Sequence, residues 1–480
     1  VVFDTTILGS NPSAPAKMMK KENFNKSLFI KFKKVFFPFY KSKEINKIFN
    51  ILEKDKPGNL RTAMFVGGCV RNFILNEKID DIDIATVFTP EEIKKKFKDT
   101  DVKVIETGIE HGTITLILNE KKFELTTLRK DLNTDGRHAD VLFTENWFED
   151  SQRRDFTINA IYLDRKGNFF DPQHGIEDLG NNLVKFIGNP HKRIEEDYLR
   201  IIRFVRFSMT YSKNIFEKSS IEAIKLNLNG IKNLSKERIF SELIKIFKLK
   251  NFADILEHGE LKTIFLMLFP EFKYLERLEK IKLVNNLEFK VNNIYLILSI
   301  LLIDDTNNHE YFCHKYKVSN EIKEKLNLIS VIFHKYKLNK DFIKKDLKKN
   351  IYLLGKNNIK NFIFFLFISN KKMSKTEFLK IFKDIANVQI PNFPFNGYYL
   401  KKKGISEGKK MGLILKKLEN EWLNNNYELS EKNALIIIEK NNNQTYWTFK
   451  ISKLRSPEGV FTATMSFLVF PINAFPIGDL

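Results

Sequence analysis

Cysteine is nearly missing from this chain: Cys69 and Cys313 are the only two in 480 residues. That scarcity excludes a disulfide framework and any cysteine-rich zinc site. No uninterrupted apolar run approaches the roughly 18 to 20 residues that span a bilayer, and no apolar leader with a cleavage site is visible at the start. The expectation is a soluble, cytoplasmic protein with no membrane partner. None of the eight histidines is followed by Asp, which argues against a fused histidine–aspartate phosphohydrolase. Acidic residues are also in deficit, 59 against 80 Lys and Arg, leaving a net charge of +21. Such an excess repels itself unless a polyanion screens it, so RNA is the leading partner class. A coding bias toward Lys, Asn, Ile and Phe would raise the same charge, so composition supports RNA only modestly. The 45 phenylalanines are read chiefly as core.

What the chain does have is concentrated in residues 65 to 86. Phe65-Val-Gly67-Gly68-Cys69-Val-Arg71-Asn72 reads as an apolar strand, a glycine pair and a helix start; Asp80-Asp81-Ile82-Asp83-Ile84 follows. Alternate residues of a strand share a face, so Asp81 and Asp83 aim together while Ile82 and Ile84 enter the core. Two like charges held that close call for a cation. Mg²⁺, completed by water and phosphate oxygens, suits such a pair and a triphosphate substrate. Gly67 and Gly68 let backbone N–H groups approach phosphate without a Cβ in the way. Arg71, at the opening of the helix, adds charge to an N-terminus already suited to phosphate.

This segment resembles the head-domain signature of the class II tRNA nucleotidyltransferases, the CCA-adding enzymes of the DNA polymerase β-like superfamily. The likeness continues in family order through Glu110-His-Gly-Thr-Ile-Thr115, Phe123-Glu124-Leu-Thr-Thr-Leu-Arg129, Thr134-Asp-Gly-Arg-His-Ala139, Arg153-Arg-Asp155-Phe-Thr-Ile-Asn159 and Glu196-Asp197-Tyr-Leu-Arg200-Ile-Ile-Arg203. It implies template-independent addition of CCA to the acceptor end of tRNA from CTP and ATP, with Mg²⁺ on Asp81 and Asp83 and with Glu124 as the third acidic residue. Within the resemblance, Arg154, Asp155 and Asn159 fall at the family's ribose- and triphosphate-binding motif. Asp197 and Arg200, three residues apart, are expected to share a helix face and present an acceptor beside a donor to the base. Cytosine and adenine offer the complementary order; guanine and uracil offer the reverse. Arg203 and Arg206 continue that stripe, either toward the triphosphate or as helix-packing cations. Asn72 departs from the family, which usually has Asp there, and is expected to orient Arg71 less firmly. Thr134 to Trp147 corresponds to a flexible loop linked to the A step, and Asp171, Gly175 and Asp178 to a hinge or, equally, a turn with an Asp cap. A poly(A) polymerase, an enzyme adding only the terminal A, and an inactive RNA-binding protein remain as alternatives.

The implied fold class is an α+β nucleotidyltransferase head, a mixed sheet with helices, followed by an all-α neck, body and tail. Residues 1–40 are set aside as an extension, with Met18 or Met19 expected as the native start. The head is placed at 41–172, the neck at 173–250, the body at 251–375 and a tRNA-binding tail at 376–444, while 445–480 is unassigned. Strands are expected at 63–66, 82–85, 103–105, 112–118, 122–127 and 159–163. Helices are expected at 43–52, with Ile45, Ile48, Ile51 and Leu52 on one stripe, and as one basic stretch at 400–422.

Overall fold

The computed structural model describes residues 38–54, 61–135, 138–284, 293–343, 345–370 and 372–442, with backbone alone at 131–135, 138–141 and 341. The expectations for residues 1–37 and 445–480 lie outside these. The chain divides into two compact units, one up to Val388 and one from Gln389.

The first unit opens with helix α1 (Lys43–Glu53), capped where Ser42 accepts from the Ile45 N–H. Its buried stripe is Ile45, Ile48, Phe49 and Leu52, so Phe49 takes the place expected for Ile51. Then come β1 (Ala63–Val66), α2 (Gly68–Leu75), β2 (Ile82–Thr86), α3 (Pro90–Phe97), β3 (Lys103–Gly108), β4 (Thr113–Leu118) and β5 (Lys121–Thr127). After them follow β6 (Arg129–Asp135), β7 (His138–Phe143), α4 (Trp147–Gln152), β8 (Tyr162–Leu163) and β9 (Phe169–Phe170). Seven strands form one mixed sheet in the order β3-β4-β5-β2-β1-β8-β9, in which β2 and β5 run parallel and the other neighbours antiparallel. All four residues of β1 are buried, and Ile84, Leu125, Ile114 and Leu116 fill the core from the flanking strands.

The α+β head expected from the sequence is therefore present, with two differences. The stretch beginning at Thr134 is not simply a loop: β6 and β7 pair as a separate antiparallel ribbon, Arg129 opposite Phe143 and Asp135 opposite His138. The strand expected over 159–163 is shorter, because Thr157–Asn159 forms a 3-10 turn ahead of β8.

From Gly175 onward the described residues are helical. Helices α5 (Gly175–Gly180), α6 (Pro190–Glu196), α7 (Leu199–Tyr211), α8 (Lys218–Asn227) and α9 (Lys236–Phe247) come first. Asp171 caps α5 through both carboxylate oxygens, accepting from Gly175 N and Ile176 N at 2.8 Å each. A Cβ on Gly175 would meet the Thr157 carbonyl at 2.2 Å, so glycine is what lets this helix close on the 3-10 turn. Farther on, Phe265, Phe269, Phe272 and Phe312 pack ring against ring, which confirms much of the phenylalanine as core. The helix Lys375–Asn387 belongs to this unit and stacks Phe378 on Phe367.

In the second unit, the stretch expected as one helix is two, Gly397–Lys402 and Lys409–Asn424, broken around Gly404 and Gly408, both at positive φ. With Glu431–Asn442 they enclose a small core of Leu400, Ile414, Leu418, Ala434 and Ile438.

Candidate active site

The β1–α2 connection and the mouth of β2 meet at one point. Gly67 adopts φ 75°, ψ −131° ahead of α2, and a Cβ added there would lie 3.4 Å from Asp83 Oδ2. The glycine turn therefore sits directly against the second carboxylate, and its left-handed backbone disfavours any side chain. Cys69 behind the turn is buried. Its thiol donates to the Val66 carbonyl at 3.3 Å, and burial pushes its pKa up to about 12, as packing rather than chemistry requires.

Asp81 is exposed just before β2, Asp83 is half-buried within it, and Glu124 is the register partner of Asp83 on parallel β5. Residues in parallel register point to the same face, so the two carboxylates stand side by side. Burial, then the Glu124 and Asp81 charges, lift the Asp83 carboxyl to about 6, while Arg154 and Arg71 pull it down. A half-buried carboxylate crowded by two others fits a divalent cation. Among the described residues no three His, Cys, Asp or Glu side chains close into a cage for one. An open pair is what Mg²⁺ takes when phosphate oxygens and water complete its shell.

Arg71 leaves α2 buried. Its guanidinium donates to Asn159 Oδ1 and lies 5.0 and 5.2 Å from the Phe207 and Tyr211 ring centres on α7. Asn72 does not orient it; Asn159 does. The Asn72 amide turns away and donates to the Lys78 carbonyl at 2.7 Å, holding the turn after α2. Asn159 in turn donates to Asp155 Oδ1 at 2.7 Å, an oxygen that also accepts from Phe156 N. Arg203 takes Asp155 Oδ2 through Nε and Nη2 at 2.8 and 2.6 Å. The four acceptor positions of this carboxylate are thus filled from within the protein. A ribose hydroxyl, the partner expected for Asp155, would have to displace one of these donors. Burial opposes the Asp155 charge, but Arg203 and Asn159 outweigh it and hold the pKa at about 2. Buried Glu242 on α9 extends the chain of charges, accepting from Arg206 at 2.9 Å and Lys245 at 2.7 Å.

Asp197 and Arg200 do not share a helix face. Asp197 ends α6 in an extended conformation, and α7 begins two residues later. Its carboxylate accepts from the Leu199 N–H at 3.1 Å and from Arg238 on α9 at 2.8 Å. Arg200 is buried and donates to Glu196 Oε2 and the Arg193 carbonyl, each at 2.5 Å. Helical spacing failed here because the tertiary contact to Arg238 and the cap on Leu199 favour a break between α6 and α7.

A family model of the poly A polymerase head domain matches residues 63–185, and one of the probable RNA and SrmB-binding site of polymerase A matches residues 215–275. The human mitochondrial CCA tRNA nucleotidyltransferase 1 is 35% identical over 390 residues, covering 78% of this chain and 86% of that protein. The CCA-adding enzyme of Lactobacillus helveticus is 30% identical over 74% of this chain and 87% of its own. The chain belongs to the CCA-adding tRNA nucleotidyltransferases. The fold agrees: the Bacillus stearothermophilus CCA-adding enzyme, solved in complex with CTP, superposes with a TM-score of 0.63 at 22% identity, covering 84% of this chain and 98% of that one.

Sequence reasoning about this CCA-adding family member missed Asp150, Tyr162, Arg193 and Glu242. Arg153 pairs with Asp150 at 2.7 Å, and Arg193 Nη2 donates to the Arg153 and Arg154 carbonyls. A carboxylate on a short helix reads as surface, and nothing local marks Asp150 as buried. Its nearness to the Arg153-Arg154 pair, three and four residues on, was the one available signal.

Proposed function

We infer that this protein adds CCA to the 3′ end of tRNA, using CTP twice and ATP once without a template. The observation that carries the reading is the meeting of the Gly67 turn, Asp83 and Glu124 at one point of the sheet. The 3′-hydroxyl of the RNA attacks the α-phosphate of the bound nucleotide, a new phosphodiester bond forms, and the bond to the β-phosphate breaks to release pyrophosphate. Asp81 and Asp83 would hold Mg²⁺, which supplies charge neutralisation at the phosphate and lowers the pKa of the hydroxyl. Glu124 faces the same place and can receive the proton of the attacking hydroxyl or help hold the ion. The N–H groups behind Gly67 and Gly68 and the guanidinium groups of Arg71 and Arg154 meet the triphosphate, with Asn159 fixing Arg71. Arg203 positions Asp155 beneath them. Asp197 and Arg200 choose the base, and this requires them to exchange Arg238 and Glu196 for its edge.

No described helix is long and apolar enough to cross a membrane. We place the protein in the cytoplasm, and since the human relative is named as mitochondrial, cell fractionation decides between the two compartments.

The deciding assay supplies purified protein with tRNA lacking CCA and each labelled nucleotide in turn. Two C and one A incorporated, with U and G refused, is the expected result. Unlimited A addition to any RNA would instead mark a poly(A) polymerase.

A further inference from the structure

The most heavily bonded carboxylate near the site is Asp150, which lies on α4 and is fully buried. Its Oδ1 accepts from Arg153 Nε at 2.8 Å and from the Arg129 N–H at the base of the β6–β7 ribbon at 3.3 Å. Its Oδ2 accepts from Arg154 Nε and Nη2 at 3.2 and 3.0 Å and from the Tyr162 hydroxyl at 2.7 Å. That same hydroxyl accepts from Arg154 Nε at 3.1 Å, and the Arg154 guanidinium lies 5.2 Å from the Tyr162 ring centre. Tyr162 is itself fully buried at the start of β8.

We propose that Asp150 and Tyr162 are positioning residues that lock one edge of the Arg154 guanidinium and so commit its remaining N–H donors to the triphosphate. The proposal rests on the reading of Arg154 as a triphosphate ligand. A guanidinium offers five donors in a rigid plane. With Nε and part of Nη2 held by Asp150 and Tyr162 and Nη1 turned toward the Asn159 carbonyl at 3.5 Å, the plane cannot rotate, and its charge is felt by Asp83, whose carboxyl it draws down. One carboxylate serves two guanidinium groups, Arg153 and Arg154, so this buried cluster keeps one surplus positive charge beside the place where phosphates bind. Donors fixed before the substrate arrives cost no reordering when it binds. The Arg129 contact brings the base of the β6–β7 ribbon to the same carboxylate.

Asp150→Asn leaves two buried guanidinium groups short of charge and can fail to fold, so the discriminating variant is Tyr162→Phe, which removes one hydroxyl and keeps the ring. CTP affinity is measured by calorimetry for wild type, Tyr162→Phe, Arg154→Ala and the double variant, with tRNA affinity and melting temperature alongside. Tyr162→Phe is expected to weaken CTP roughly fivefold, the size of one hydrogen bond, leave tRNA affinity unchanged, and have no further effect once Arg154 is Ala. A Tyr162→Phe variant that melts earlier yet binds CTP as wild type does, or effects that simply multiply in the double variant, would overturn the proposal. Because the cycle is read on binding, it stands apart from the incorporation assay. Wild-type protein that fails to extend tRNA sinks the function, whereas an uncoupled cycle in active protein sinks only this inference.

Discussion

Asp83 and Glu124 face each other across parallel strands β2 and β5, one half-buried and one exposed, and their mutual repulsion adds to burial in raising the Asp83 pKa. Arg154 and Arg71 offset this crowding only in part, and the net upward shift leaves charge for a bound cation to neutralise. Asp83→Asn should therefore cut CMP and AMP incorporation by about a thousandfold or more, as expected for loss of a group that stabilises the transferring phosphate. tRNA affinity, measured by filter binding, should change less than about twofold, since RNA is held chiefly through its phosphates. Chelating divalent ions should abolish incorporation by wild type, and adding Mg²⁺ should restore it. Incorporation that survives chelation would remove the carboxylate pair from the mechanism.

Acid should weaken the junction between head and neck through Asp155. Its folded pKa of about 2 lies below the ordinary 3.8, so the native state holds this group ionised where the unfolded chain would protonate it. The sign follows: the Arg203 and Asn159 contacts stabilise fully above about pH 5, and the contribution disappears as pH falls through 4 toward 2, a loss on the order of 2 kcal/mol. Urea midpoints at pH 6 and pH 3 should fall further apart for wild type than for Asp155→Asn, which cannot titrate. Equal shifts in both proteins would show that other carboxylates carry the acid sensitivity.

The parts of this site that were legible in the sequence are those fixed by local backbone rules. The glycine pair, the Asp81–Asp83 alternation and the neighbouring Glu124 strand could be read because strand periodicity and turn chemistry determine where such side chains point. The β6–β7 ribbon was not legible: Asp131-Leu-Asn-Thr-Asp-Gly-Arg-His-Ala-Asp140 has no apolar alternation, being a two-stranded ladder outside the main sheet. The break between α6 and α7 was hidden for the opposite reason. Glu196-Asp-Tyr-Leu-Arg200 holds no glycine or proline, and what opens the helix is Arg238, 41 residues away along the chain. Asp150 was missed because Arg129 and Tyr162, which bury it, come from two other segments.

Close approach at the head-to-neck junction can be tested with two glycines of one short helix. A methyl group on Gly175 would strike the Thr157 carbonyl, whereas one on Gly180 would meet nothing within 4 Å. Gly175→Ala should destabilise by about 1 to 3 kcal/mol, the range for forced overpacking. Gly180→Ala should be neutral or stabilising by up to about 1 kcal/mol, since alanine favours helix. Thermal melts of the two variants provide the comparison, and equal stability would mean that the helix can move away from Thr157 at no cost.

The proposed role of Arg200 in selecting the base would carry a cost set by its present bonds. To reach a cytosine or adenine edge, its guanidinium must leave Glu196 Oε2, a charge-assisted bond that also shares its acceptor with Arg193. Glu196→Gln replaces that bond with a neutral one, weaker by roughly 1 kcal/mol. If Arg200 does move to the base, this substitution should tighten CTP and ATP binding about fivefold. Arg200→Ala should weaken both nucleotides and let UTP and GTP be incorporated at a measurable rate. Single-nucleotide extension assays and calorimetry on the two variants give opposite signs for affinity when the rearrangement occurs. Unchanged CTP affinity in Glu196→Gln, together with intact rejection of UTP in Arg200→Ala, would leave Arg200 as a brace between α6 and α7 and return the choice of base to other residues.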